Sequence, residues 1–245
     1  VEEVSEDRLG YIMRDIQRFG QSQPNMTLVF SSDPGPPPRG SPMGRPFFLT
    51  DFESHTRLVE GRWPQAAPVF GENVLVMEAV LGAPVAFAMG LKVLNEGNQI
   101  HLFPFLTDPD ERITFKIVGL VEPIDTREEY WMDYSSYFEE VDVEDRPVVP
   151  IYLTEESYFG GLGQRYPTMV ADFGWYFYLD TGVLTADLAG PTKGAVSGLE
   201  TDINKRFPRS VVLSGLKNTI AKYQTQLTLA RVPLYLFISL VVLII

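Results

Sequence analysis

Residues 232 to 245, Val-Pro-Leu-Tyr-Leu-Phe-Ile-Ser-Leu-Val-Val-Leu-Ile-Ile, carry no charge and constrain the chain more than any other segment. Fourteen such residues are long for one buried strand and short of the roughly 20 that a bilayer-spanning helix requires. Just before them, Leu216, Ile220, Tyr223 and Leu227 recur at spacings of four, three and four, with Lys217, Lys222 and Gln224 between. That is an amphipathic helix resting on a folded domain. After Arg231 the polar face vanishes, and no glycine separates the two halves. A helix that turns from one-sided to all-round apolarity is expected to leave the protein surface for lipid. Arg231 would snorkel at that boundary, and Pro233 would be tolerated or would kink the first buried turn. Residues 229–245 are therefore expected to begin a transmembrane helix, with a buried C-terminal core helix as the alternative. The acidic opening, Val1-Glu-Glu-Val-Ser-Glu-Asp7, is the reverse of a signal peptide, and the missing initiator Met points to a fragment or a processed product.

The remaining 231 positions can hold one large or two modest domains with ample core. A net charge of −12 with no Lys/Arg cluster excludes a basic face for nucleic acid or anionic headgroups. The absence of cysteine excludes disulfides, thiolate nucleophiles and Cys-based metal sites.

Hydrophobic spacing assigns the elements. Leu9, Ile12, Met13, Ile16 and Phe19 fall on one helical face, ended by Gly20. Met26–Phe30 is a buried strand, and the Pro- and Gly-rich stretch 31–46 is a loop or a polyproline ligand. Asn73–Met77 is a strand and Glu78–Gly90 an Ala-rich helix. Gln99–Phe103 and Ile113–Val121 form a hairpin through a turn at Thr107–Asp110. Val148–Leu153 is a strand placed near an edge or bulge by Pro150. Thr154 caps a short helix ending at Gly160–Gly163, and Val170–Leu179 is a strand. A helix begins at Thr185 or Pro191 with Val196, Leu199, Ile203 and Phe207 on one face. Val211–Leu213 is a strand, and Ser214 caps the last helix. The alternation of the final third predicts an α+β or α/β layer.

Catalytic signatures are scarce. The chain has no P-loop, no GxSxG elbow and no HExxH, and its two histidines, His55 and His101, lie 46 positions apart. The glycines of Phe159–Gly163 read as a helix end rather than a phosphate cradle. The strongest enzyme-like signal is acidic: Glu122, Asp125, Glu128, Glu129, Asp133, Glu139, Glu140, Asp142, Glu144 and Asp145, interleaved with Tyr130, Trp131, Tyr134, Tyr137 and Phe138. Carboxylates beside aromatics could form a glycosidase cleft or hold calcium. They could also belong to a solvated loop whose aromatics pack down while its acids face water.

Several short pieces recur in a telling order. Gly61-Arg62-Trp63-Pro64 is followed by Gly90-Leu91-Lys92-Val93, by Gly97-Asn98-Gln99-Ile100, by Phe115–Pro123 with its Gly119, and by Tyr130-Trp131. This series resembles the extracytoplasmic domain of FtsX-like ABC transporter permeases, the group with MacB-type and lipoprotein-releasing members. Asn98 departs from the family's usual Asp but serves a turn equally well. The likeness covers most of residues 57–245; the loop at 31–46 and the acidic stretch have no clear counterpart in it.

The resemblance implies an α+β domain of two subdomains followed by a truncated transmembrane helix. A membrane-proximal βαβ part would be built from 1–45 and 148–228, and a β-rich part, 46–147, would be inserted into it. It implies a non-catalytic segment without cofactor or metal, on the outer side of a bacterial inner membrane. Its partners would be a second permease subunit, identical or not, a cytoplasmic ABC ATPase, the bilayer through 232–245, and a cargo or cell-wall hydrolase. Gly61, Arg62, Trp63, Pro64, Gly90, Gly97, Gly119, Pro123 and Trp131 would be structural, with an exposed Trp63 on a subunit face as the alternative. The helix from Ser214 to Arg231 would be a lever joining outer domain to membrane.

Overall fold

The computed structural model describes residues 1–23, 26–30, 40–89, 99–105, 110–132, 135–139, 141–143 and 146–244. In chain order the elements are α1 (Glu2–Leu9), β1 (Met13–Ser22), β2 (Met26–Phe30), β3 (Met43–Leu49), α2 (Phe52–His55), β4 (Thr56–Gly61) and β5 (Val69–Phe70). There follow β6 (Val74–Gly82), α3 (Ala83–Ala88), β7 (Gln99–Phe103), β8 (Arg112–Pro123), α4 (Ser135–Phe138), β9 (Val141–Val143) and β10 (Arg146–Tyr152). The chain closes with α5 (Glu155–Ser157), a π-helical segment Tyr158–Gly163, β11 (Ala171–Leu179), α6 (Ala186–Arg206) and α7 (Leu216–Ile244). Two compact units emerge: residues 17–174, and residues 1–16 with 175–245.

The first unit is a closed barrel. Strands β3, β2, β7 and β8 pair antiparallel in that order, β8 pairs parallel with β6, and β6 pairs antiparallel with β10. The ring closes because β10 pairs parallel with β3, Val148–Tyr152 against Met43–Phe47. Closure leaves these six strands without a free edge among themselves. Alternate residues fill the interior: Leu75, Met77, Ala79 and Leu81 of β6, Ile100 and Leu102 of β7, Ile113, Phe115 and Ile117 of β8, Val149 and Ile151 of β10. Val85 of α3 and Tyr158 and Leu162 of the π-helical segment join the same core.

The expected division into a membrane-proximal βαβ layer and an inserted β-rich part is therefore overturned. Strands from 26–49 and 146–152 form one ring with those from 74–123, giving a mixed α/β fold. Among the described residues no helix is long and apolar enough to cross a membrane, so the truncated transmembrane helix expected at 229–245 is not shown. Helix α7 does run unbroken from Leu216 to Ile244, through Arg231 and past an exposed Pro233.

Other elements match or correct the spacing. Strands β2 and β7 fall on their expected residues, β7 pairs antiparallel with β8 as a hairpin would, and Thr154 caps α5 by accepting from Ser157 N–H at 3.1 Å. Pro150 sits where β10 changes one neighbour from β9 to β6, so its missing N–H falls at a break in the ladder. Residues 13–22 are strand rather than helix, because Phe19–Gln21 pairs with Phe47–Leu49 of β3. Glu78–Gly82 extends β6, leaving only Ala83–Ala88 helical, and Met43–Pro46 is strand rather than loop. Residues 31–39 and the turn at 106–109 lie outside the described residues. Val211–Leu213 forms no strand: Val211 is 77% and Leu213 89% exposed.

The second unit packs α1 against α6 around Val4, Leu9, Ile12, Val196, Leu199 and Ile203. Arg8 pairs with Asp202 at 2.8 Å, Tyr11 and Thr192 share a 2.6 Å hydrogen bond, and Lys217 of α7 reaches Glu200 of α6 at 2.5 Å.

Candidate functional site

Strand β8 is twelve residues long and changes partner midway. Its first half pairs with β7 and its second with β4, while β6 runs along its other side. The second half brings the scattered motif residues together. Gly61 stands opposite Gly119 and Thr56 opposite Pro123. Arg62 N–H donates to the Val118 carbonyl at 2.9 Å. Gly61 has φ 80, a left-handed turn that glycine takes without steric cost. A Cβ on Gly119 would collide with the Arg62 carbonyl, so close backbone approach requires glycine there.

Arg62 is held in place. Its guanidinium donates to both carboxylate oxygens of Glu78, at 2.6 and 2.5 Å, and to the Trp63 carbonyl at 2.9 Å. Glu78 also accepts from Gln65 N–H at 2.9 Å. The Arg62 hydrogen bond holds the Glu78 carboxyl below its ordinary value, against the opposing effect of burial. Pro64 is buried, and the half-buried Trp63 packs on the barrel's second, aromatic core instead of standing free.

Phe52 is the hub of that core, at 1% exposure. Its ring stacks on Tyr152 at 4.1 Å and on Phe138 at 5.8 Å, and meets Trp131 edge-on at 6.0 Å and Trp63 at 6.5 Å. Asp51, in the left-handed conformation at φ 61, turns the chain so that Phe52 enters the core.

The acidic–aromatic segment is anchored to the same place. His55 stacks on Tyr130 at 3.7 Å, and its Nδ1 hydrogen-bonds Glu128. Ile124 N–H donates to the His55 carbonyl at 2.9 Å, the Trp131 indole to the Asp125 carbonyl at 3.0 Å, and the Tyr130 hydroxyl to the Thr50 carbonyl at 2.7 Å. Burial pushes the Tyr130 phenol well above its usual value, so it remains a donor. Tyr130, Trp131, Tyr137 and Phe138 are all buried. Glu122 pairs with Arg57 at 3.0 Å, Asp125 with Arg127 at 3.2 Å, and Glu129 and Glu139 are exposed. Among the described residues of this segment, the aromatics therefore pack down, while Glu122, Asp125 and Glu128 each meet a base and Glu129 and Glu139 are exposed. Among the described residues no group of three His, Asp or Glu could hold a metal.

Of the residues singled out from sequence, Gly61, Arg62, Trp63, Pro64, Gly119, Pro123 and Trp131 meet at this junction. Gly90 and Gly97 lie outside the described residues, as do Asp133, Tyr134, Glu140, Glu144 and Asp145. Arg231 and Pro233 lie in α7. Sequence reasoning missed Phe52 and Glu78, which are ordinary by type. It noted His55 and Glu128 but had no signal to join them across 73 positions. No protein-family model matches the chain, and no curated protein matches it.

Proposed function

We propose that this chain is the extracytoplasmic domain of an FtsX-like ABC transporter permease subunit. It passes motion between membrane helices and an extracytoplasmic cargo or protein partner, and no bond chemistry belongs to it. The observation that supports this reading is the junction: motif pieces from 61–64, 119–123 and residue 131, which suggested the family by order alone, serve one packed structure. The reading places the segment outside a bacterial inner membrane, beside a second permease subunit and above a cytoplasmic ABC ATPase, with the apolar run 232–245 meeting the bilayer.

These 245 residues hold no cysteine, so one introduced here is the only thiol in this segment. The parent reading frame, carrying Thr126→Cys at an exposed position, is expressed with its neighbouring ATPase and treated with a membrane-impermeant maleimide in intact cells. Outer-face labelling and co-purification of the ATPase are expected. A reading frame ending within about ten residues of Ile245, too short for further spans, would end the permease reading. An acid-dependent glycan hydrolase instead predicts activity that disappears in a Glu128/Glu129/Glu139/Glu140 quadruple glutamine variant.

A further inference from the structure

We propose that the outer face of β6, β8 and β7 carries a binding site for a small organic anion, a phosphate monoester or carboxylate bearing a short apolar group. The site goes beyond the permease reading and does not depend on it.

Strand register builds it. Val74 stands opposite Arg112 and Val76 opposite Thr114, while His101 faces Thr114 and Gln99 faces Lys116 on the other side. Since Leu75, Met77, Ile100, Leu102, Ile113 and Phe115 point into the barrel, these alternate residues share its outer face. With Val69 of β5 they line a pocket of about 320 Å³, within the range of small-molecule sites.

The charge of the pocket runs against that of the chain. In a protein of net charge −12, its lining holds Arg112, Lys116 and His101 and, among the described residues, no carboxylate. The nearest acid in register, Glu78, is opposite Lys116 but is already engaged by Arg62 and Gln65. Arg18, Arg57, Arg62, Arg127 and Arg165 of the same unit each pair with a carboxylate. Arg112 makes no such pair among the described residues, and its buried Nε has no hydrogen-bond partner there. Since that Nε is closed to solvent, it is the outer nitrogens of this guanidinium, held by no carboxylate among the described residues, that are left to meet an anion.

The cations sit on a fixed frame. Thr114 and His101, 4% and 3% exposed, are joined Oγ1 to Nδ1 at 3.0 Å and floor the pocket. Arg112 N–H donates to the Asn73 carbonyl at 3.0 Å. One residue earlier, Glu111 receives two bonds from Arg165, at 2.9 and 2.7 Å, and one from the Tyr166 hydroxyl at 2.8 Å. The guanidinium therefore hangs from a pinned backbone and can meet an anion's oxygens as a planar fork, with Lys116 as a second point charge. The valines supply the apolar wall.

The test is a titration of the 245-residue chain with phenyl phosphate, benzoate and neutral benzyl alcohol, followed by amide chemical shifts. Saturable shifts are expected at 74–76, 99–101 and 112–116, with at least about tenfold weaker binding of the alcohol. Arg112→Gln is expected to weaken the anion at least about tenfold and the exposed Lys116→Gln about threefold, the latter keeping the test valid if the former unfolds. Tighter phenyl phosphate assigns a phosphoryl group and tighter benzoate a carboxyl; either upholds the site. No saturable shift up to about 10 mM, equal binding of the alcohol, or unchanged affinity in Lys116→Gln together with a folded Arg112→Gln overturns it.

Discussion

Among the described residues, twenty-one and ten buried side chains fill the two cores of the 17–174 unit, whereas six fill the core of the unit made from 1–16 and 175–245. The first unit closes its strands into a ring and adds an aromatic cluster outside it, so that barrel strands such as β6 and β8 bury apolar side chains on both faces. The second relies on the contacts of α6 with α1 and with α7, a few polar bonds such as Arg8–Asp202 and Lys217–Glu200, and apolar residues left in the open, with Phe207, Val211 and Leu213 at 47%, 77% and 89% exposure. A closed barrel resists local opening, while helices packed around a smaller core open at less cost.

The largest expected effect tests that difference. Phe52→Ala removes the hub of the aromatic core and is expected to cost about 3–5 kcal/mol by urea unfolding, against about 2–3 kcal/mol for Leu199→Ala in the helical unit. A smaller loss at Phe52 than at Leu199 would reverse the comparison. An intermediate effect concerns acid. Hydrogen bonds from Arg165 and Tyr166 hold the Glu111 carboxyl below its ordinary 4.5, and Arg62 does the same for Glu78. A lowered carboxyl stabilises the fold above 4.5, and that stability is lost as pH falls through the folded-state value. Barrel signals should therefore weaken as pH drops below 4.5, and Glu111→Gln should lower stability at neutral pH while flattening this acid limb. An unchanged acid limb would remove Glu111 from the barrel's support. The smallest effect is Leu213→Ser, expected within about 0.5 kcal/mol of zero because the side chain buries almost nothing.

How much of this was legible follows from the range of the forces. Strands β2 and β7, the Thr154 cap and the α6 face of Val196, Leu199 and Ile203 follow from local pattern. Residues 13–22 did not, because Ile12, Met13, Ile16 and Phe19 fit a helical spacing while the deciding partner, β3, lies some 30 positions on. Barrel closure rests on two parallel pairings, β3 with β10 and β6 with β8, which leave no local mark. At the site, glycines and tryptophans pointed to a junction because their types are restrictive. Phe52 did not, since a single Phe after Asp51 looks like any other. Val211–Leu213 misled in the opposite way: three apolar residues imply a strand only where something pairs with them.

Native-state amide hydrogen exchange on the 245-residue chain tests the central contrast most directly. Amides of β6 and β8 are expected to exchange only through global unfolding, and those of α1 and α6 at least about a hundredfold faster, a gap of roughly 2.7 kcal/mol. Equal protection in the two units, or a faster-exchanging barrel, would contradict the account.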